Sequence, residues 1–208
     1  MQRFNGSSFL NFRHLNNDSS SIVNDRVSFI IEDSKHDIWV ATNGGIAKFN
    51  YRNGKFTNYR MGWNDSGNVN MGDLFWLLED SRGRLWAGGR AGLFLFNSKF
   101  NRFENLAPKR IPGITLNHFI RVSSIKETAD KEIVFSVLDG FVIIDQEGNQ
   151  QYFQMPVPDI KQPNHIPTNQ VMVLKDYPNE VWVTANLNGL YKYEKKEKRF
   201  RRLLGKDY

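Results

Sequence analysis

The chain has 208 residues, 40% hydrophobic and 13% aromatic, which is enough apolar material to bury a core. It contains no cysteine, which excludes disulfides, thiolate metal sites and a cysteine nucleophile. The 28 basic residues outnumber the 22 acidic ones by six, but their one dense run, "KYEKKEKRFRR", carries glutamates throughout and reads as a solvated outer strand rather than a nucleic-acid patch.

From the N-terminus, "RFN" and "FLNF" (Phe9 to Phe12) predict the end of one strand and then an outer strand, so the chain is expected to begin inside a blade-like unit. No apolar run reaches the length of a membrane helix, and the first residues lack the apolar stretch of a signal peptide. The next four strand-sized pieces fall at about 27–32, 37–42, 46–50 and 55–59, short, β-branched or aromatic, and separated by Gly, Asn, Asp or Lys turns.

The pattern then recurs. Trp39, Trp86, Val134 and Trp182 are spaced by 47, 48 and 48 residues, and Gly45, Gly92, Gly140 and Gly189 by 47, 48 and 49. An apolar segment ending in acid precedes the tryptophan position each time, as in "VSFIIED" and "LFWLLED". Four short strands per 47–49 residues predict an all-β chain built as a β-propeller. The expected architecture is an arc of four four-stranded antiparallel blades plus an orphan N-terminal outer strand, part of a larger, seven-bladed type of ring. As one partial propeller over 1–208, it has the orphan strand at 4–14 and blades at about 24–60, 71–107, 118–154 and 168–204.

Several residue types acquire roles from that frame. The innermost strands should be buried on both faces, as "FII" and "FWLL" suggest, and the turn glycines should supply positive φ. The tryptophans should wedge between blades. Glu32–Asp33 and Glu79–Asp80 recur with the repeat and read as turn residues rather than catalytic acids.

Within the repeat, residues 30 to 59, "IIED…IWVATNGGIAKFN…F..Y", closely resemble the two-component regulator propeller repeat, and residues 77 to 106 and 173 to 203 follow with small departures. The unit at 124–153 lacks the tryptophan and the paired glycines. The resemblance implies the periplasmic sensor region of a hybrid two-component histidine kinase, of the kind that responds to oligosaccharides in Gram-negative gut bacteria. It therefore implies a non-catalytic, ligand-sensing segment whose parent would be the kinase. The partners would be an oligosaccharide and either the remaining blades or a second copy of the chain, without nucleic acid or membrane contact.

Specific chemistry is sparse. His14, His36, His118 and His165 form no short-spaced pair, "AGGRAG" at 87–92 lies in a hairpin rather than before a helix, and neither a metal nor a cofactor is expected. The turns entering the innermost strands and the second hairpin turns should share one propeller face, gathering Arg26, Asp73, His118, Arg121 and Gln170 with Asn43, Arg90, Asp139 and Asn186. These positions vary while the framework repeats, as an asymmetric binding surface requires. Phe75 and Trp76 could offer a sugar platform, with at least one expected in the core. Two alternatives stand beside the sensor reading: an interaction module that closes by oligomerising, and a propeller lyase, whose "W-x-T" blades "VWVTANLNGLYKYE" resembles. The lyase would need a divalent metal and an acid–base cluster that this sequence does not assemble.

Overall fold

A computed structural model describes residues 1–59, 73–106, 121–137, 140–156, 170–173, 177–185 and 189–204. Its contacts divide the chain into two compact units, Met1–Leu106 and Ala107–Tyr208.

The first unit opens with a hairpin, β1 (Gln2–Phe4) and β2 (Phe9–Asn11). Two four-stranded antiparallel sheets follow in simple up-and-down order. Blade 1 is β3 (Val27–Glu32), β4 (Ile38–Thr42), β5 (Gly45–Asn50) and β6 (Lys55–Tyr59); blade 2 is β7 (Leu74–Glu79), β8 (Leu85–Gly89), β9 (Gly92–Asn97) and β10 (Arg102–Asn105). The second unit repeats the plan. Blade 3 is β11 (Ile125–Glu127), β12 (Ile133–Val137), β13 (Gly140–Ile144) and β14 (Gln150–Gln154), and blade 4 is β15 (Gln170–Met172), β16 (Glu180–Ala185), β17 (Gly189–Glu194) and β18 (Arg199–Leu204). The sequence period thus becomes four sheets of identical order. The expected outer strand at Phe9–Phe12 is there as β2, paired with β1.

Burial peaks in the second and third strands rather than the innermost ones. Every residue of β8, β12 and β13 is buried, whereas β3 alternates half-buried and exposed, with Ile30 47% exposed. The expectation of inner strands buried on both faces is corrected for β3. It is an edge strand, hydrogen-bonded on one side only, and its Phe29 and Ile31 face blade 2 while Ile30 points away.

The seam between blades 1 and 2 is built around Trp39. It packs with Ala41, Ile46, Leu74, Leu77, Phe94 and Phe103, its ring 5.1 Å from Phe96 and 5.4 Å from Tyr59. A second cluster on the other face of blade 1 joins Val40, Ala47, Phe49 and Phe56 to Ile22 and Val23 of the preceding segment. In the second unit, Val134, Phe141 and Ile143 of blade 3 meet Val171, Val181, Val183, Tyr191 and Tyr193 of blade 4.

The turn joining the first two strands of a blade has the same design three times. Asp33, Asp80 and Thr128 each donate their amide to the carbonyl four residues on (Asp37, Arg84, Glu132), at 2.9, 3.0 and 2.9 Å. The residue three positions on then takes positive φ: His36 at 63°, Gly83 at 71° and Lys131 at 64°. Asp33 accepts the amides of Lys35 and Asp37 on one carboxylate oxygen and the Trp39 indole N–H, at 2.8 Å, on the other. Asp80 treats Arg82, Arg84 and Trp86 in the same way. The recurring acids are turn residues, as the repeat implied, and they also anchor the tryptophans. Blade 3 lacks both partners of that bond: Thr128 stands for the aspartate and Val134 for the tryptophan.

The second hairpin needs glycine for two separate reasons. Gly45, Gly92 and Gly189 have φ of 132°, 118° and 91°, as expected for the turn. Gly140 is not among the positive-φ glycines, which corrects the expectation there; a Cβ on it would lie 2.1 Å from the Phe153 carbonyl oxygen, so close approach of β14 excludes any side chain.

Candidate functional site

The residues expected on one face are positioned by the ends of β3 and β7 and by the hairpin turns beside them. In blade 1 the Asn43 amide donates to the Arg26 carbonyl at 3.1 Å, and in blade 2 the Arg90 amide donates to the Asp73 carbonyl at 2.9 Å. Turn and strand entry therefore meet within each blade. A side-chain ion pair, Arg90 Nη2 to Asp73 Oδ2 at 3.1 Å, overlays the second contact and is open to solvent, with Arg90 55% and Asp73 28% exposed. Adjacent inner strands are tied at this end by Ser28 Oγ, which donates to the Leu74 carbonyl at 2.5 Å. Arg26, Asn43, Asp73 and Arg90 thus share one end of the first unit.

In the second unit Gln170 is exposed, and its amide donates to Thr184 Oγ1 at 3.2 Å. Arg121 is half-buried just before the serines that join blades 3 and 4: Ser124 Oγ accepts the Val171 amide at 2.7 Å, and Ser136 Oγ accepts the Ser124 amide at 3.0 Å. His118, Asp139 and Asn186 lie outside the described residues.

Two features of this end were not anticipated. The ladder slips at Val27/Phe29 in blade 1 and at Leu74/Trp76 in blade 2, a bulge repeated at the same place beside the candidate residues. Asn24 also belongs here: its side-chain oxygen accepts the Arg26 amide at 2.8 Å and shapes the entry turn. Only the Asx spacing Asn24–Arg26 could have signalled it. Trp76 stacks on Phe29 of blade 1 at 4.4 Å, so this ring helps to join the two blades, and Phe75 is half-buried.

The perturbed carboxylates of the first unit serve its turns. Burial works against the charge on Asp33 and Asp80, and the indole N–H and turn amides outweigh it, holding both carboxyls below their usual value. These acids stay ionised at neutral pH and already hold structural donors. Glu32 draws the exposed His36 imidazole upward through a 2.5 Å hydrogen bond, a local pair at a turn. Among the described residues, no three His, Asp or Glu side chains converge as a metal site would require. The basic run of blade 4 forms ion pairs rather than a bare cationic face: Lys192 meets Glu180 and Glu194 at 2.7 and 2.9 Å, and Arg199 and Arg201 meet Glu194 at 3.0 and 2.9 Å. Among the described residues, no helix is long and apolar enough to cross a membrane.

No protein-family model matches the sequence, and no curated protein matches it. Solved structures do match in fold. One is PorZ, a bacterial surface component of the type-IX secretion system of Porphyromonas gingivalis, 13% identical, with a TM-score of 0.67 over 100% of this chain and 31% of that one. Another is virginiamycin B lyase from Staphylococcus aureus, 16% identical, TM-score 0.62, covering 95% of this chain and 59% of the lyase. A third is the extracellular domain assigned to a hybrid two-component system of Bacteroides thetaiotaomicron, 14% identical, TM-score 0.50, covering 92% and 31%. The chain spans between about a third and three fifths of these solved chains. At such identities the likeness establishes the fold, an all-β arrangement of propeller blades, and that fold serves both lyases and extracellular sensor domains.

Proposed function

We propose that the chain is a ligand-sensing propeller segment of a periplasmic two-component sensor, non-catalytic by itself, with glycan-derived oligosaccharides as its ligand class. The observation that carries the reading is the end of the first unit where Asn43 meets the strand entry at Arg26 in blade 1 and Arg90 meets Asp73 in blade 2, the second pair a solvent-open ion pair. Sugar hydroxyls both donate and accept, and a paired guanidinium and carboxylate offers both roles at fixed spacing. The repeat resemblance and the sensor domain among the fold's neighbours support the same assignment.

Titration of the chain with a panel of neutral and acidic oligosaccharides by calorimetry tests it. Loss of a charged hydrogen bond is worth about 1.5–3 kcal/mol, so Asp73→Ala and Arg90→Ala should each weaken binding about tenfold or more. A panel without a binder, or a binder indifferent to both substitutions, would overturn the assignment.

A second reading is an interaction module completed by another copy. It is favoured by the N-terminal hairpin, where Phe4, Phe9 and Leu10 are 58%, 63% and 52% exposed. Light scattering across a concentration series separates the two, because a dimer that dissociates in Phe9→Asp supports the module.

A further inference from the structure

One aromatic pair recurs along the chain. Phe49 and Phe56 of blade 1, Phe96 and Phe103 of blade 2, and Tyr193 and Phe200 of blade 4 stand opposite each other on the outer two strands, their ring centroids 5.1, 5.1 and 5.0 Å apart. Each pair receives a ring edge-on from the element ahead of it: Phe12 at 5.1 and 5.5 Å, Tyr59 at 5.5 and 5.7 Å, and Phe141 at 5.5 and 5.9 Å. The N-terminal hairpin carries the same pair, Phe4 opposite Phe9 at 5.0 Å. Its Arg3 lies over Tyr51 of blade 1, and Phe12 takes the part there that Tyr59 takes in the next seam. Phe4 and Phe9 therefore face away from blade 1. Both are exposed, and among the described residues they meet no third ring.

The complementary half lies on blade 4. On the side of blade 1 that meets blade 2, Trp39, Ala41 and Ile46 are buried. Register places Trp182, Thr184 and Leu190 at the same positions in blade 4. The other side of blade 4, through Val181, Val183, Tyr191 and Tyr193, is the one packed on blade 3. Thr184 is exposed where Ala41 is buried, and Trp182 and Leu190 are half-buried. Glu180 accepts the Trp182 indole N–H at 2.9 Å, which fixes the ring, yet among the described residues it packs on no other aromatic side chain.

We propose that blade 4 of one copy docks on the N-terminal hairpin of a second copy, Trp182 seating against Phe4 and Phe9 as Trp39 seats against Phe96 and Phe103. The repeat identifies the partner. The hairpin presents an aromatic pair that this chain closes three times elsewhere with a ring from the element ahead, and blade 4 presents a ring in the place of Trp39. The two surfaces differ, so the contact is head-to-tail rather than two-fold. Aromatic anchors at its centre carry most of the affinity. This inference rests on the interaction-module reading and adds the surface that meets the hairpin, which that reading leaves open.

Sedimentation of the full chain across a concentration series tests it. The wild type should self-associate, and Phe9→Asp and Trp182→Ala should each weaken association about tenfold or more. Mixed in equal amounts, the two variants should form a heterodimer, because one still offers blade 4 and the other still offers the hairpin. Thr184→Arg, exposed on the same face, takes the place of Trp182→Ala if that variant does not melt cooperatively. Association that is lost in Phe9→Asp but untouched by both blade 4 variants, or a mixture that stays monomeric, would overturn the docking and leave the module reading standing. A wild-type monomer at every concentration, or association that survives Phe9→Asp, would overturn both.

Discussion

The seam between blades 1 and 2 and the seam between blades 3 and 4 solve one packing problem differently. The first inserts an indole from β4 and ties its N–H to the aspartate of the preceding turn, so one ring joins turn, sheet and neighbouring blade. The second moves the bulk from β12 to Phe141 on β13, substitutes Thr128 and Val134, and links the two blades with Lys195. Turn geometry is preserved in blades 1 to 3: amide, carbonyl and positive φ recur at Lys131 as at His36. The turn backbone of blade 3 is therefore set without the tryptophan, and the tryptophan is not tied to the turn aspartate everywhere, since Trp182 of blade 4 gives its indole N–H to Glu180.

The largest test of that contrast is Trp39→Ala. Removing a fully packed aromatic side chain costs about 3–5 kcal/mol, so denaturant unfolding of the first unit should shift by that amount. Val134→Ala, its counterpart, should cost no more than about 1–3 kcal/mol, since a buried valine is worth about that much. Equal effects would remove the distinction between the seams. Asp80→Ala comes next: its carboxylate is wholly buried, and leaving the Trp86 N–H and two turn amides without it should cost about 1–3 kcal/mol by the same measurement.

A finer test builds the missing pair. Thr128→Asp alone should destabilise, because it buries a carboxylate with no indole to meet it. With Val134→Trp added, a double-mutant cycle should return a favourable coupling of about 0.5–3 kcal/mol. Zero coupling would mean that the aspartate is kept for the turn alone.

The smallest effect is pH-dependent. Asp33 and Asp80 have folded-state values below the ordinary 3.8, so their contribution is fully present above that value and is lost as pH falls through the lower one. Unfolding midpoints should respond little to these two groups between pH 7 and 5, then drop below about pH 4, and Asp80→Ala should flatten part of that drop.

Most of the fold was legible because strand pieces, turn glycines and tryptophans each leave a mark at fixed spacing: β3 to β6 fall within a residue of the expected bounds. The burial of the inner strands was misjudged because "FII" reads as a buried run, while an edge strand with one covered face exposes Ile30. The Asp33–Trp39 bond was hidden for a different reason. Its two residues lie six apart in sequence and meet only because the turn folds back. Yet a signal existed, since Thr128 and Val134 depart from the pattern together. Of the candidate face, within-blade adjacency followed from topology, whereas the Asp73–Arg90 ion pair depends on side-chain direction, which spacing alone does not fix.

The segment ahead of blade 1 also has a kinetic meaning. Phe56, on the outermost strand, gives its amide to the Ser20 carbonyl at 2.8 Å, and Asn58 holds the carbonyls of Ser19 and Ser21 at 2.9 and 2.7 Å, with Ile22 tucked beneath. An edge amide that would otherwise trade its hydrogen with water is thereby clamped by chain some 36 residues upstream. The exchange rate of the Phe56 amide thus becomes a clock for the detachment of that segment. It should run faster whenever proteolysis, denaturant or a competing strand peels the segment away, well before blade 1 itself opens.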